Sequence, residues 1–181
     1  MDVTASTILY AGHLRVRQLT VEAPNTSPAT APRQYEVISR ADAVAALVYD
    51  RAAGAYLLVE QWRAGAQAPL TELPAGMIDG TELPETALRR ELREELGVEV
   101  SEPALIATFY TTPGFCTEQI YLYYTEVTGR PGAGGGLASE GESLVIRAVP
   151  VADFYQLPLF DGKTLVAREW ARAQQLHQSQ V

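Results

Sequence analysis

Apolar and polar positions alternate through the first part of the chain. From Thr7 to Val21 the apolar Ile8, Leu9 and Tyr10, then Leu14, Val16, Leu19 and Val21, follow the two-residue period of a strand pair. A turn-rich stretch runs from Ala23 to Pro32, and Tyr35 to Ser39 predicts another short strand. Ala43 to Tyr49 is almost wholly apolar, as in a strand buried on both faces. Asp50 to Gly54 supplies a turn and Tyr56 to Gln61 a second buried strand, so the two predict a hairpin.

The period changes after Pro84. Leu88, Leu92 and Leu96 recur every four residues, which predicts a helix, and Gly97 is placed to stop it. Ala104 to Tyr110 and Gln119 to Val127 predict strands on either side of a turn built on Pro113 and Gly114. Gly129 to Gly141 is rich in glycine and predicts a mobile loop. Leu144 to Val149 returns to strand, and Asp161 is placed to cap a final helix containing Leu165, Val166, Trp170 and Leu176. No internal repeat is visible. Strands around one central helix, with a closing helix, predict an α/β layered domain.

Composition narrows the function classes. The 181 residues suit one ordinary domain, and 47% hydrophobic residues are enough for a real core. The net charge of -8 makes the chain a poor nucleic-acid partner, since no broad basic surface is available. A small phosphate compound can still bind if metal ions lie between the negative charges. Cys116 is the only cysteine, so neither an intrachain disulfide nor a CxxC zinc site is possible. Met1 to Gly12 carries no basic stretch followed by an apolar run, and no apolar stretch approaches the roughly 20 residues of a spanning helix. The expectation is a cytoplasmic protein with no membrane partner. Lys163 is the only lysine; this usage fits a GC-rich genome and says little about function. His13 and His177 lie near the termini and support no triad.

The chemistry is concentrated in Gly76 to Val98, GMIDGTELPETALRRELREELGV. At about 100° per residue, Glu95 falls about 40° and Glu94 about -60° from Glu91, so three carboxylates share one helix face. Leu88, Leu92 and Leu96 form an adjoining stripe that can face a core. Like charges at these spacings cost about 0.2–0.5 kcal/mol per exposed pair, and more when partly buried. A divalent cation removes the conflict, because Mg²⁺ takes hard oxygen ligands and binds phosphates at the same time. The competing reading is a solvated helix in which Arg90 and Arg93 pair with neighbouring glutamates.

The whole string decides between them. It resembles the Nudix box, G-x5-E-x7-R-E-U-x-E-E-x-G-U with U apolar, at Gly76, Glu82, Arg90, Glu91, Leu92, Glu94, Glu95, Gly97 and Val98. The resemblance implies the Nudix fold, an α/β/α sandwich around a mixed β-sheet, here with an N-terminal β-strand extension. It implies hydrolysis of a nucleoside diphosphate linked to another moiety. It places metal ligands at Glu91, Glu94 and Glu95, together with the carbonyl of Ala75, and gives Glu82 and Arg90 a bracing role. Two or more Mg²⁺ ions, or Mn²⁺ in their place, would bridge the phosphates, offset transition-state charge and acidify water.

Residues outside the box narrow the subfamily. Glu60-Gln61-Trp62-Arg63, Glu72-Leu73-Pro74-Ala75-Gly76 and Tyr110-Thr111-Thr112-Pro113-Gly114-Phe115 resemble the ADP-ribose pyrophosphatases and related nucleoside diphosphate sugar hydrolases, with Pro113 falling 16 residues after Gly97. That resemblance implies a small-molecule nucleoside diphosphate sugar as substrate, ADP-ribose foremost, and a phosphate contact at Arg63. The alternative for Arg63 is an ion pair with Glu60 or Glu72. Glu118 would bond the terminal ribose, Pro113 and Gly114 would shape the loop, and Arg40 would reach a phosphate. A glutamate of the Gly-rich loop would be the general base, Glu140 ahead of Glu142. Residues 1–40 would form dimerising strands and residues 41–178 the hydrolase domain, so a homodimer is implied. Tyr10 and Tyr35 are possible base stackers, with core packing the favoured role.

A GDP-mannose or other sugar-nucleotide hydrolase is the near alternative. A non-enzymatic ADP-ribose sensor is remote, because it predicts eroded box glutamates and an added basic domain. An NADH-type hydrolase would carry a four-cysteine ribbon, which one cysteine excludes.

Overall fold

The computed structural model describes residues 1–22, 31–130, 132–136 and 144–178, the side chains of 175–178 excepted. Ten strands and three helices are described: β1 (Asp2–Ala11), β2 (Arg15–Glu22), β3 (Arg33–Ser39), β4 (Ala43–Asp50), β5 (Ala55–Arg63), β6 (Ala68–Glu72), β7 (Ala75–Met77), α1 (Pro84–Leu96), β8 (Ala104–Tyr110), β9 (Gln119–Val127), β10 (Leu144–Pro150), α2 (Val151–Phe154) and α3 (Gly162–Gln178). They form two compact units. One comprises Met1–Asp42 with Tyr110–Gln119, the other Ala43–Phe109 with Ile120–Val181.

The larger unit is built on a mixed sheet in the order β10-β5-β4-β9-β8, with β6 paired to β5 and β7 to β4. β4 runs parallel to β9 and antiparallel to β5. Its near-continuous apolar run is buried on both faces, as the pattern predicts. Because side chains alternate along a strand, Val44, Ala46 and Val48 pack with Leu88, Leu92 and Leu96 of α1. Ala43, Ala45 and Leu47 pack with Ala167 and Ala171 of α3. Helix, mixed sheet and helix therefore form three layers, the expected α/β/α arrangement.

α1 begins with Pro84 in its first turn and ends at Gly97, whose left-handed φ of 70° closes the helix. Proline fits the first turn because its missing N–H has no helical acceptor there. Asp161 opens α3 by accepting the Thr164 N–H at 3.0 Å.

The smaller unit carries the antiparallel sheet β1-β2-β3. It also takes the turn between β8 and β9, which joins β3 through backbone bonds. Ile38 N–H donates to Phe115 O at 2.7 Å, and Thr117 N–H donates to Ile38 O at 3.0 Å. The local pattern does not anticipate this joining of residues far apart in sequence. Tyr10 and Tyr35, read as core residues, are instead exposed, at 57% and 38%. Every residue of β1 is exposed, so that strand offers its neighbours no interior to fill.

The Gly-rich segment is described only at 129–130 and 132–136. Its described first half is tied to the end of α1: Gly132 N–H donates to Gly97 O at 2.9 Å, Gly135 N–H to Glu95 O at 2.8 Å and Gly136 N–H to Glu94 O at 3.2 Å. Arg130 Nε–H donates to Leu96 O at 3.1 Å. Helix C-termini leave carbonyls without helical partners, and bare glycine backbone can approach them closely. A Cβ on Gly134 would lie 2.5 Å from Glu95 O. Among the described residues, no helix is long and apolar enough to cross a membrane.

Candidate functional site

β7 and α1 assemble the box within the larger unit. Val44 pairs with Gly76 and Ala45 with Ala75, which fixes this short strand beside β4. The Glu91 carboxylate lies directly over the bare Cα of Gly76, where a Cβ would sit 1.8 Å from Glu91 Cδ. The first box glycine is thus a vacancy shaped for a box glutamate. Ala75 N–H donates to Glu95 Oε2 at 3.0 Å. Glu95 is only 2% exposed, which is costly for a carboxylate without compensating partners.

Arg90 gathers the remaining acids. Its guanidinium donates to Glu82 at 3.0 Å, to Met77 O at 2.9 Å, to Glu91 Oε1 at 2.7 Å and to Glu94 Oε2 at 3.4 Å. The hydrogen bonds from Arg90 hold the Glu82 carboxyl below its usual range, and Glu82 in turn keeps Arg90 more basic than an ordinary arginine. The Glu82 bond matches the brace that the resemblance implies, and the bonds to Glu91 and Glu94 match the pairing with neighbouring glutamates weighed for Arg90. Arg93 instead pairs with Glu99, at 2.5 Å.

Glu91, Glu94, Glu95 and the Ala75 carbonyl are all hard oxygen donors, which fits a divalent cation of the Mg²⁺ type. Glu91 and Glu94 stay partly open, at 12% and 24% side-chain exposure. Among the described residues, no three His, Cys, Asp or Glu side chains already stand in a coordinating cluster. The acids are gathered by Arg90 and the Ala75 N–H instead.

Arg63, at the end of β5, meets the alternative weighed for it. Its Nε–H donates to Glu72 Oε1 at 2.5 Å. Burial, the largest single influence, lowers its basicity, but the Glu72 hydrogen bond and the charges of Glu72, Glu95 and Asp161 together raise it above the usual arginine value. Glu72 is 2% exposed and also accepts from Lys163 Nζ. Sequence reasoning missed this partnership, although a lone lysine among many arginines was its visible signal.

The smaller unit holds the other candidates. Arg40 and Glu118 pair with each other at 2.8 Å. Thr117 holds the Arg40 backbone from both sides, its Oγ1 accepting the Arg40 N–H at 2.9 Å and donating to Arg40 O at 3.0 Å. Pro113 and Gly114 lie in a tight turn in which Phe115 N–H donates to Thr112 O at 3.1 Å. Glu140 and Glu142 lie outside the described residues.

The NUDIX domain family model matches residues 39–172. A GDP-mannose pyrophosphatase of Enterobacter sp. (strain 638) is 26% identical over 182 residues, covering 94% of both chains. An ADP-ribose pyrophosphatase of Haemophilus influenzae is 31% identical over 159 residues, covering 80% of this chain and 73% of the relative. The crystal structure of an ADP compounds hydrolase superposes with a TM-score of 0.78 at 19% identity, covering 99% of this chain and 96% of that one. This chain belongs to the Nudix family and is a hydrolase that acts on pyrophosphate bonds.

Proposed function

We propose that the enzyme hydrolyses the diphosphate of ADP-ribose. Water adds to one phosphorus, the bridging P–O bond breaks, and AMP and ribose 5-phosphate leave. The observation that carries this reading is the face of α1, where Glu91, Glu94 and Glu95 project beside the Ala75–Gly76 strand. Mg²⁺, as two or more ions with Mn²⁺ as a substitute, would supply the positive charge that offsets charge developing in the transition state. In this reading Glu91, Glu94, Glu95 and Ala75 O would hold the ions, while Arg90 and Glu82 keep the acids in place. Arg63 contacts a phosphate, which suits a guanidinium with N–H groups to spare beyond its bond to Glu72. Arg40 and Glu118, an ion pair within the smaller unit, are assigned as substrate contacts, with Pro113 and Gly114 shaping their turn.

The same chemistry serves GDP-mannose, and the longer match to a GDP-mannose pyrophosphatase favours keeping that second reading. A panel of ADP-ribose, GDP-mannose, UDP-glucose, NADH and dGTP, with products separated, distinguishes the two. ADP-ribose is expected to give the highest kcat/KM. Turnover is expected to vanish in EDTA and return with Mg²⁺ or Mn²⁺; full turnover in chelator would exclude the metal centre.

Glu140 is assigned as the general base and Glu142 as the lesser candidate. With the box glutamates engaged by metal, the acceptor of the water proton comes from another segment. Glu140→Gln is expected to lower kcat by about 10²-fold with KM little changed, the behaviour of a group acting in the transition state. Parent-like kcat in Glu140→Gln, Glu142→Gln and the double variant would remove the loop from the mechanism.

We also assign a homodimer through the N-terminal strands. Ile8, Leu9, Tyr10 and Val3 of β1 are all about half exposed or more, and exposed apolar residues gathered in this way mark association surfaces. Light scattering is expected to give twice the chain mass, and a chain lacking residues 1–38 to lose it. A well-behaved, fully active truncated monomer would count against the assignment.

A further inference from the structure

We propose that Lys163, the chain's only lysine, is a positioning residue for the diphosphate site. By occupying one oxygen of the buried Glu72, it leaves the terminal N–H groups of Arg63, which bond no other side chain among the described residues, for phosphate. This rests on the phosphate role given to Arg63 above.

Glu72 is 2% exposed, and a carboxylate so buried must be matched by cations. Its two oxygens are divided between two of them. Oε1 takes Arg63 Nε–H at 2.5 Å, and Oε2 takes Lys163 Nζ. Arginine and carboxylate otherwise tend to pair through two parallel bonds. Such a side-on pair would spend a terminal N–H as well as Nε–H and hold the guanidinium flat against Glu72, leaving less of it to turn toward a phosphate. With Lys163 on Oε2, Glu72 draws on Arg63 through Nε, and the Arg63 side chain remains 40% exposed.

Lys163 is itself held in a closed ring. Nζ also donates to Asp161 Oδ1 at 3.1 Å. Asp161 Oδ2 accepts the Thr164 hydroxyl at 2.6 Å, and that same Thr164 Oγ1 accepts the Leu73 N–H at 2.9 Å. Leu73 follows Glu72 directly, so the first turn of α3 is locked to the stretch that leads to Ala75. The Lys163 side chain is 10% exposed and its ammonium serves two carboxylates. A compact point donor does this, whereas the broad planar fork of arginine is suited to one flat partner. The chain carries 14 lysines and arginines together and uses lysine only here.

The test combines Lys163→Met, Glu72→Gln, their combination and Arg63→Ala in the full-length enzyme. KM for ADP-ribose is read beside kcat, and the calorimetric Kd for ADP provides a readout apart from turnover. Lys163→Met is expected to raise KM and Kd about tenfold with kcat little changed, as when binding common to ground and transition states is lost. Adding Glu72→Gln is expected to bring both back to within about twofold of the parent, because an amide cannot draw in the guanidinium as a carboxylate does. A purely structural lysine predicts the opposite, a combined variant no better than Lys163→Met. If Arg63→Ala raises KM but Lys163→Met does not, this inference alone falls. If Arg63→Ala leaves KM unchanged, the phosphate contact falls and takes this inference with it. Should Lys163→Met not fold, the comparison moves to Glu72→Gln with and without Lys163→Met. Equal KM and Kd are expected there, and a further loss on removing the lysine would overturn the proposal.

Discussion

Glu95→Gln is expected to lower kcat by about 10³-fold, as when a charge that stabilises the transition state is removed. The substitution is nearly isosteric, and the amide oxygen can still accept the Ala75 N–H that Oε2 accepts at 3.0 Å. Glu95 is 2% exposed, and replacing it with a neutral side chain relieves repulsion with Glu91 and Glu94 on the same face. The fold should therefore survive while the metal charge loses a partner. Glu94→Gln should behave similarly. Saturating Mg²⁺ kinetics and a melting curve on the same samples separate the two effects. Parent-like kcat would remove Glu95 from the metal centre, and a collapsed melting transition would make its role structural.

Gly76→Ala should have an effect of similar scale for a steric reason. The added methyl would lie 1.8 Å from Glu91 Cδ and 2.0 Å from its Oε1. The clash is with the end of a flexible side chain, so the cheapest response is rotation of the Glu91 carboxylate, with the backbone left in place. That displaces a metal ligand by more than an ångström, and kcat/KM is expected to fall about 10²–10³-fold, the usual consequence of misplacing a catalytic group. Mn²⁺ affinity measured by paramagnetic resonance should weaken in parallel, with the melting temperature close to the parent's. Gly97→Ala offers the contrast. Its Cβ would meet the Gly132 backbone at 2.5 Å, and φ is already 70°, so that change should lower stability first. If Gly76→Ala keeps parent kinetics, Glu91 does not hold metal.

Where signals were local, the sequence was a good guide. Pro84 and Gly97 bracket α1, and the spacing of Leu88, Leu92 and Leu96 sets its buried face, because these features depend only on residues within a turn or two. The limits of β8 and β9 also match the apolar pattern. β6, β7 and α2 escaped notice. They are five, three and four residues long, too short for a period to register, and β6 and β7 exist because β5 and β4 supply their hydrogen bonds. Nor does the composition of the Gly-rich segment tell of the carbonyls at the end of α1 that its described residues meet.

By itself, then, the sequence determined the box helix, its three carboxylates on one face, the glycines that flank it and the two-sided core strand β4. Each follows from spacing and side-chain chemistry within a short window. The tertiary structure alone decided that Glu91 rests on Gly76 and that Arg40 meets Glu118. It also decided that Lys163 reaches Glu72 across 91 residues. A buried charge accepts whichever opposite charge the packing of sheet and helix brings within hydrogen-bond reach. That choice is made by the assembled core, and no periodicity along the chain encodes it.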